Sequence, residues 1–185
     1  MFDRSAVERQ LWSRVHDVPD WPEPGVLFRD LTPLMADGHA FGAAVDLMAV
    51  QLGRGRVDHV VGIEARGFPF AAALAYHLGA GFITLRKPGK LPRQVHTESY
   101  DLEYGSTSLE VHQDAMSAGD RAVIVDDVLA TGGTACAAVE LVRRTGAEVT
   151  GVAVLMELPS LGGTARVRGL GVEVSALLNG DAPVH

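Results

Sequence analysis

Val7, Leu11 and Val15 recur at helical spacing, which predicts an amphipathic N-terminal helix that ends before Pro19. Pro19, Pro22, Pro24 and Gly25 then impose a turn-rich segment. Phe41, Ala44, Val45, Met48 and Leu52 form a second helical stripe, and the apolar run 57–63 after it predicts a buried strand. An alanine-rich helix over 67–78, stopped by Gly79, is followed by a strand at 82–85. Residues 86–99 are rich in Pro, Gly, Lys and Arg and carry little periodic signal, so a long exposed loop is expected. Tyr100, Leu102 and Tyr104 alternate with polar residues, as do Leu109 and Val111, which predicts a β-hairpin turning around 105–108. A buried strand at 122–125, a helix at 134–144, and strands at 149–155 and 172–177 complete the pattern. Strands alternating with helices predict an α/β fold, with a parallel sheet covered on both faces and ligands beyond the carboxyl ends of its strands.

A chain of 185 residues suits one compact domain, 1–185, with a substantial core. No apolar run approaches the roughly 18 to 20 residues that span a bilayer, and the polar N-terminus, 1–9, lacks a signal-peptide stretch. A soluble cytoplasmic protein without a membrane partner is expected, and the single Cys136 fits that reducing compartment while excluding an intramolecular disulfide or a cysteine metal cluster. The net charge of −7 argues against nucleic acid. Against that acidic background, Arg86, Lys87, Lys90 and Arg93 gather four positive charges, which points to a small polyanion. The seven histidines show no ligand spacing, and none is assigned a metal.

The segment 123–134 reads Val-Ile-Val-Asp-Asp-Val-Leu-Ala-Thr-Gly-Gly-Thr. Two adjacent carboxylates at the end of a buried strand, Asp126 and Asp127, are costly without a partner such as ribose hydroxyls or a hydrated Mg²⁺. Thr131, Gly132, Gly133 and Thr134 bring backbone N–H groups and hydroxyls to a helix start, where unpaired donors and the helix dipole favour a phosphate. Glycine permits its close approach. An ATPase strand is disfavoured because the chain has no Gly-x-x-x-x-Gly-Lys-Ser/Thr loop, and a dinucleotide site because Gly-x-Gly-x-x-Gly is missing. An ordinary capped helix explains Thr131 but leaves both carboxylates without a reason.

This segment resembles the phosphoribosyl-diphosphate motif of the type I phosphoribosyltransferases. The resemblance implies their twisted parallel sheet flanked by helices, with a small hood and a flexible β-hairpin loop. It further implies that Asp126 and Asp127 bind the ribose hydroxyls and that Ala130, Thr131, Gly132, Gly133 and Thr134 bind the 5′-phosphate.

Four more segments, Pro-Gly-Val-Leu-Phe-Arg-Asp at 24–30, Glu-Ala-Arg-Gly-Phe at 64–68, Arg-Lys-Pro-Gly-Lys-Leu-Pro at 86–92 and Ser-Tyr-Asp-Leu-Glu-Tyr-Gly at 99–105, run in family order and narrow the resemblance to adenine phosphoribosyltransferases. It implies a pentosyltransferase that converts adenine and phosphoribosyl diphosphate to AMP and pyrophosphate in purine salvage. Negative charge grows on the departing pyrophosphate, and Arg66, Arg86, Lys87 and Lys90 are the cations expected to meet it, with Mg²⁺ held mainly by substrate and water. The resemblance puts Glu64 and Ala65 in the pyrophosphate loop, Leu27, Phe28, Arg29 and Leu158 around adenine, and the hood in 1–35. It makes 86–111 the flexible catalytic loop and hairpin, with Glu103 as catalytic acid and base and Tyr104 in loop closure. Hypoxanthine enzymes carry an acid just before the Thr-Gly of the phosphate loop, where this chain has Ala130. A homodimer is also implied. The competing readings are a transferase for hypoxanthine, guanine or xanthine, and a non-catalytic sensor of the activated sugar.

Overall fold

The computed structural model describes residues 4–53, 57–102 and 105–181. Helix α1 (Arg4–Trp12) leads into an antiparallel pair, β1 (His16–Pro19) and β2 (Leu27–Asp30), and then into α2 (Thr32–Ala36) and α3 (Gly38–Leu52). The order continues with β3 (His59–Ile63), α4 (Gly67–Leu78) and β4 (Gly81–Leu85), and then a hairpin of β5 (Val95–Leu102) and β6 (Gly105–His112). The remaining elements are β7 (Arg121–Leu129), α5 (Gly133–Arg144), β8 (Glu148–Glu157), a 3₁₀ turn (Pro159–Leu161), α6 (Gly163–Arg168) and β9 (Val174–Asn179). No helix among the described residues is long and apolar enough to cross a membrane.

Five strands form the central sheet in the order β4-β3-β7-β8-β9, and every pair is parallel. The α/β expectation is met. Side-chain alternation along the strands builds two cores. Val60, Val123, Val125, Ala153 and Leu155 pack with α1 to α4 on one face. Val61, Ile124, Val152 and Val154 pack on the other with α5, α6 and the apolar side of β6. Because the chain passes from β3 to β4 on one side and returns to β7 on the other, a crevice opens beyond the carboxyl ends of β3 and β7, where open parallel sheets bind ligands.

Four local expectations change. The proline-rich segment is the connection of a small two-stranded hood, with Val18 opposite Phe28; its short strands leave too few alternating positions for a strand signal. The exposed loop expected over 86–99 is shorter, because residues 95–99 belong to β5 and pair with β6. Leu102 faces Gly105 in that ladder, so 105–108 lie in strand β6 rather than in a turn. Helix α1 also stops before Val15, which is nevertheless 7% exposed and packs into the core from the following turn.

Candidate functional site

Strand β7 does not end at the acidic pair: Asp126 lies opposite Val154, and the ladder continues through Leu129 opposite Glu157. The carboxylates are therefore held by a strand in mid-sheet. Asp126 Oδ1 accepts the Asp127 N–H at 2.9 Å. Asp127 is 4% exposed, and among the described residues it is the buried charged side chain of the core. The Arg66 Nε lies 2.9 Å from Asp127 Oδ2, close enough for an ion pair but not aligned for a hydrogen bond, so that buried oxygen has no donor. Burial pushes the Asp126 carboxyl well above the usual carboxylate range, and the charge of Asp127 adds to it. Burial also raises Asp127, against the pull of Arg66. A side chain at Gly67 would place its Cβ 2.7 Å from the Val125 carbonyl and 3.0 Å from Asp126 Oδ1, so α4 starts this close to β7 because the residue is glycine.

Beyond Leu129 a cavity of about 180 Å³ is lined by Asp126 and the loop 130–134. Gly132 takes φ +81° at the N-cap of α5, and no side chain caps that helix, which leaves its first-turn N–H groups without a side-chain acceptor where Gly133, Thr134 and Ala135 line the cavity. Behind the loop sits the start of α6, a contact the motif does not reveal. A Cβ on Gly163 would overlap the Ala130 carbonyl oxygen and lie 2.9 Å from the Gly132 nitrogen. Thr164 Oγ1 donates to Glu157 Oε2 at 2.6 Å, tying α6 to the end of β8. Gly163→Ala is accordingly expected to displace the loop and weaken binding of ribose 5-phosphate by about tenfold or more, the scale of one lost charge-assisted hydrogen bond. Calorimetric titration checks this, and unchanged affinity would show that the loop does not depend on Gly163. The Gly162-Gly163 doublet was the available signal in the sequence.

After β3, the Glu64–Ala65 peptide is cis. The Glu64 carboxylate accepts the Lys87 N–H at 2.6 Å and Arg86 Nε at 3.1 Å. Burial works to raise its pKa, but the Lys87 and Arg86 contacts outweigh it and hold the group below its ordinary value. The Glu64 side chain thus anchors the basic segment to the loop after β3, and only its backbone is left for an anion. Backbone bonds between Arg86 and Glu110 fasten the same segment to β6. Lys87 and Lys90 are exposed and form no salt bridge among the described residues. Arg93 is paired with Asp114 and leaves the basic patch read from the sequence.

A second cleft of about 490 Å³ lies under the hood, walled by Trp21, Phe28, Leu31 and Met35, with Asp30 and Arg66 at its polar side. The Trp21 and Phe28 rings meet edge to face with centroids 4.3 Å apart. The Arg66 guanidinium is 5.6 Å from the Phe28 ring, so this one side chain bridges the hood cleft and the acidic pair. Leu27 is 49% exposed and does not line the cleft, because neighbours along β2 point to opposite faces. The Arg29 guanidinium is occupied elsewhere, by Asp17 at 2.8 Å and the Gly180 carbonyl at 3.1 Å. Leu158 packs against the core, and its N–H reaches the Leu129 carbonyl at 2.9 Å. Glu103 and Tyr104 lie outside the described residues.

A family model described as the phosphoribosyl transferase domain matches residues 35–168, which include the acidic pair and the loop 130–134. An adenine phosphoribosyltransferase of Streptomyces coelicolor is 55% identical over 167 residues, 90% of this chain and 92% of that protein. The chain belongs to the adenine phosphoribosyltransferase family. Among solved members of that family, the enzyme of Thermoanaerobacter pseudethanolicus superposes with a TM-score of 0.88 at 42% identity, over 93% of this chain and 99% of that one. The Saccharomyces cerevisiae adenine phosphoribosyltransferase, solved with D-2,5-dideoxy-2,5-imino-altritol 1,6-bisphosphate and adenine, gives 0.89 at 36% identity over 94% and 99%.

Proposed function

We propose that this protein transfers the 5-phosphoribosyl group from phosphoribosyl diphosphate to adenine, releasing AMP and pyrophosphate. The observation that carries this reading is the buried acidic pair, one of its oxygens lacking a donor, in the same crevice as an uncapped helix start. A pentose with hydroxyls at one end and a 5′-phosphate at the other satisfies both: Asp126 and Asp127 accept from the hydroxyls, and the N–H groups of 131–134 receive the phosphate. A purine ring nitrogen attacks C1 of the sugar, the bond from C1 to the pyrophosphate oxygen breaks with its electron pair going to pyrophosphate, and Glu103 takes the proton from the base. Arg66, Lys87 and Lys90, together with the backbone of Glu64 and Ala65, stabilise the growing charge on the leaving group; Arg86 holds their loop in place through Glu64.

Mg²⁺ fits this donor set. Among the described residues no group of three or more His, Cys, Asp or Glu side chains is arranged to hold a metal, whereas a hydrated Mg²⁺ needs only one or two carboxylates beside substrate phosphates. When bound, the ion neutralises charge on the pyrophosphate oxygens. Adenine lies against Phe28 under the hood, with Leu158 on its other side and backbone groups of 27–29 reading its edge. The reading extends to a cytoplasmic homodimer acting in purine salvage, and to a lid in the segment between Arg86 and Tyr100, closed with the help of Tyr104.

Incubation with Mg²⁺, phosphoribosyl diphosphate and each of adenine, hypoxanthine and guanine in turn is expected to yield nucleotide from adenine at least about 10²-fold faster than from the others, since a site built on directional hydrogen bonds rejects mismatched edges strongly. Comparable rates with hypoxanthine would replace the base assignment, and no nucleotide from any base would favour a sensor.

A further inference from the structure

The two walls assigned to the base stand on different parts of the fold. Phe28 belongs to the hood hairpin, whereas Leu158 follows β8 of the central sheet. Their spacing needs a common reference, and the segment 179–181 touches Arg29, next to Phe28 in the hood strand, and Leu158 itself.

On the hood side, Arg29 follows Phe28 directly. Its guanidinium donates to the Gly180 carbonyl at 3.1 Å and to Asp17 Oδ1 at 2.8 Å, and it stacks 5.3 Å from the centre of the Trp12 ring. That side chain is 11% exposed, so these contacts are shielded from water. On the sheet side, the Gly180 N–H donates to the Glu157 carbonyl at 2.7 Å. A Cβ on Gly180 would overlap Leu158 Cδ2 and lie 2.9 Å from Met156 Sδ, so Leu158 rests on the bare backbone of Gly180. One residue further on, Asp181 accepts the Ser160 N–H at 2.5 Å and the Ser160 hydroxyl at 3.0 Å, and its own N–H donates to Asn179 Oδ1 at 3.0 Å. The turn that carries Leu158 is thus pinned by the same short segment whose Gly180 carbonyl holds Arg29 of the hood strand.

We propose that residues 179–181 form a clamp that sets the width of the base cleft, with Arg29 and Asp181 as positioning residues and Gly180 as the link between Arg29 and Leu158. Neither positioning side chain touches the base. This deepens the base-site reading above and rests on it. Loosening the clamp alters how well the walls grip a flat ring and leaves the ribose and phosphate contacts, which stand on β7 and α5, untouched.

The test is steady-state kinetics with both substrates varied, together with thermal melting. Asp181→Ala is expected to raise KM for adenine about tenfold, the scale of losing the hydrogen bonds of one charged acceptor, with kcat and KM for phosphoribosyl diphosphate within about twofold. Asp181→Asn keeps an acceptor for the Ser160 N–H and is expected to recover most of the loss. Should Asp181→Ala fail to fold, Ser160→Ala removes one of the two bonds and is expected to raise the adenine KM about threefold. Equal rises in both KM values would mark a general structural role and overturn the clamp. An unchanged adenine KM in Asp181→Ala while Phe28→Ala raises it would overturn the clamp and keep the base site. No change in either variant would remove the base site and the clamp together.

Discussion

Turnover of the Glu103→Gln protein is expected to fall by about 10² to 10⁴, the range for losing a positioned acid or base, while binding of phosphoribosyl diphosphate survives. Proton traffic on a purine ring needs a carboxyl group with an available oxygen, and the described residues around the crevice do not supply one. Asp126 and Asp127 are the pair proposed to hold the sugar, and burial shifts both upward. Glu64 is committed to Arg86 and Lys87. Asp30 borders the hood cleft, yet both its oxygens accept from Thr32, through the N–H and the hydroxyl, each at 2.9 Å, and those bonds lower its pKa. Ala130 leaves the position before Thr131 without an acid. Kinetics over a range of pH, with calorimetry for substrate binding, separate the roles: the variant should lose kcat and the limb of the pH profile that the carboxyl controls, with little change in affinity. Equal turnover in the two proteins would remove Glu103 from the chemistry.

Long periodic elements were legible in the sequence because their own burial writes the pattern. Helix α4 occupies 67–78 as expected, and Gly79 at φ +65° ends it as the glycine signal said. Two of the buried strands were found but drawn short: β7 and β8 run past their apolar cores because ladder bonds continue where side chains turn polar, at Asp126 in one and Glu157 in the other. The hood strands escaped notice because four residues each, mostly exposed, carry no period. Tertiary pairing makes them strands.

For the site, the motif located the acidic pair and the glycine loop before α5, since charge at the end of an apolar run and a glycine doublet before a helix are local signals. What holds them was not local. Gly163 behind the loop, the Glu64 anchor of the basic segment and the Gly180 contact with Arg29 join residues far apart in the chain. Spacing along the chain does not report such pairings. Arg66 is the instructive intermediate: its charge marked it as a partner for an anion, and the fold sets it between Asp127 and Phe28, where it reports on both halves of the crevice.

Asp126→Asn is expected to make the ligand-free protein more stable at neutral pH and to cost it about 10² in affinity for phosphoribosyl diphosphate, the scale of one charge-assisted hydrogen bond. The change is nearly isosteric, and an amide oxygen can still accept the Asp127 N–H as Asp126 Oδ1 does at 2.9 Å. It removes a buried charge that lies beside a second carboxylate, while Asp127 keeps Arg66. The sign follows from linkage. A carboxyl raised above its ordinary 3.8 in the folded state binds more protons there than in the unfolded chain, so its contribution to stability falls as pH rises from about that value through the folded pKa. Below that window both proteins carry a neutral group, and their melting temperatures should converge. Above it the variant should melt higher, by about 2–4 °C for each 1 kcal/mol of charge burial relieved. The substrate reverses the order, because ribose hydroxyls donate to the carboxylate and find an N–H donor in its place in the variant. Melting curves across pH, with and without phosphoribosyl diphosphate, measure both effects. A variant that melts below the parent at pH 8 without ligand would show that the acidic pair is already satisfied within the protein, and the argument that it waits for a pentose would fail.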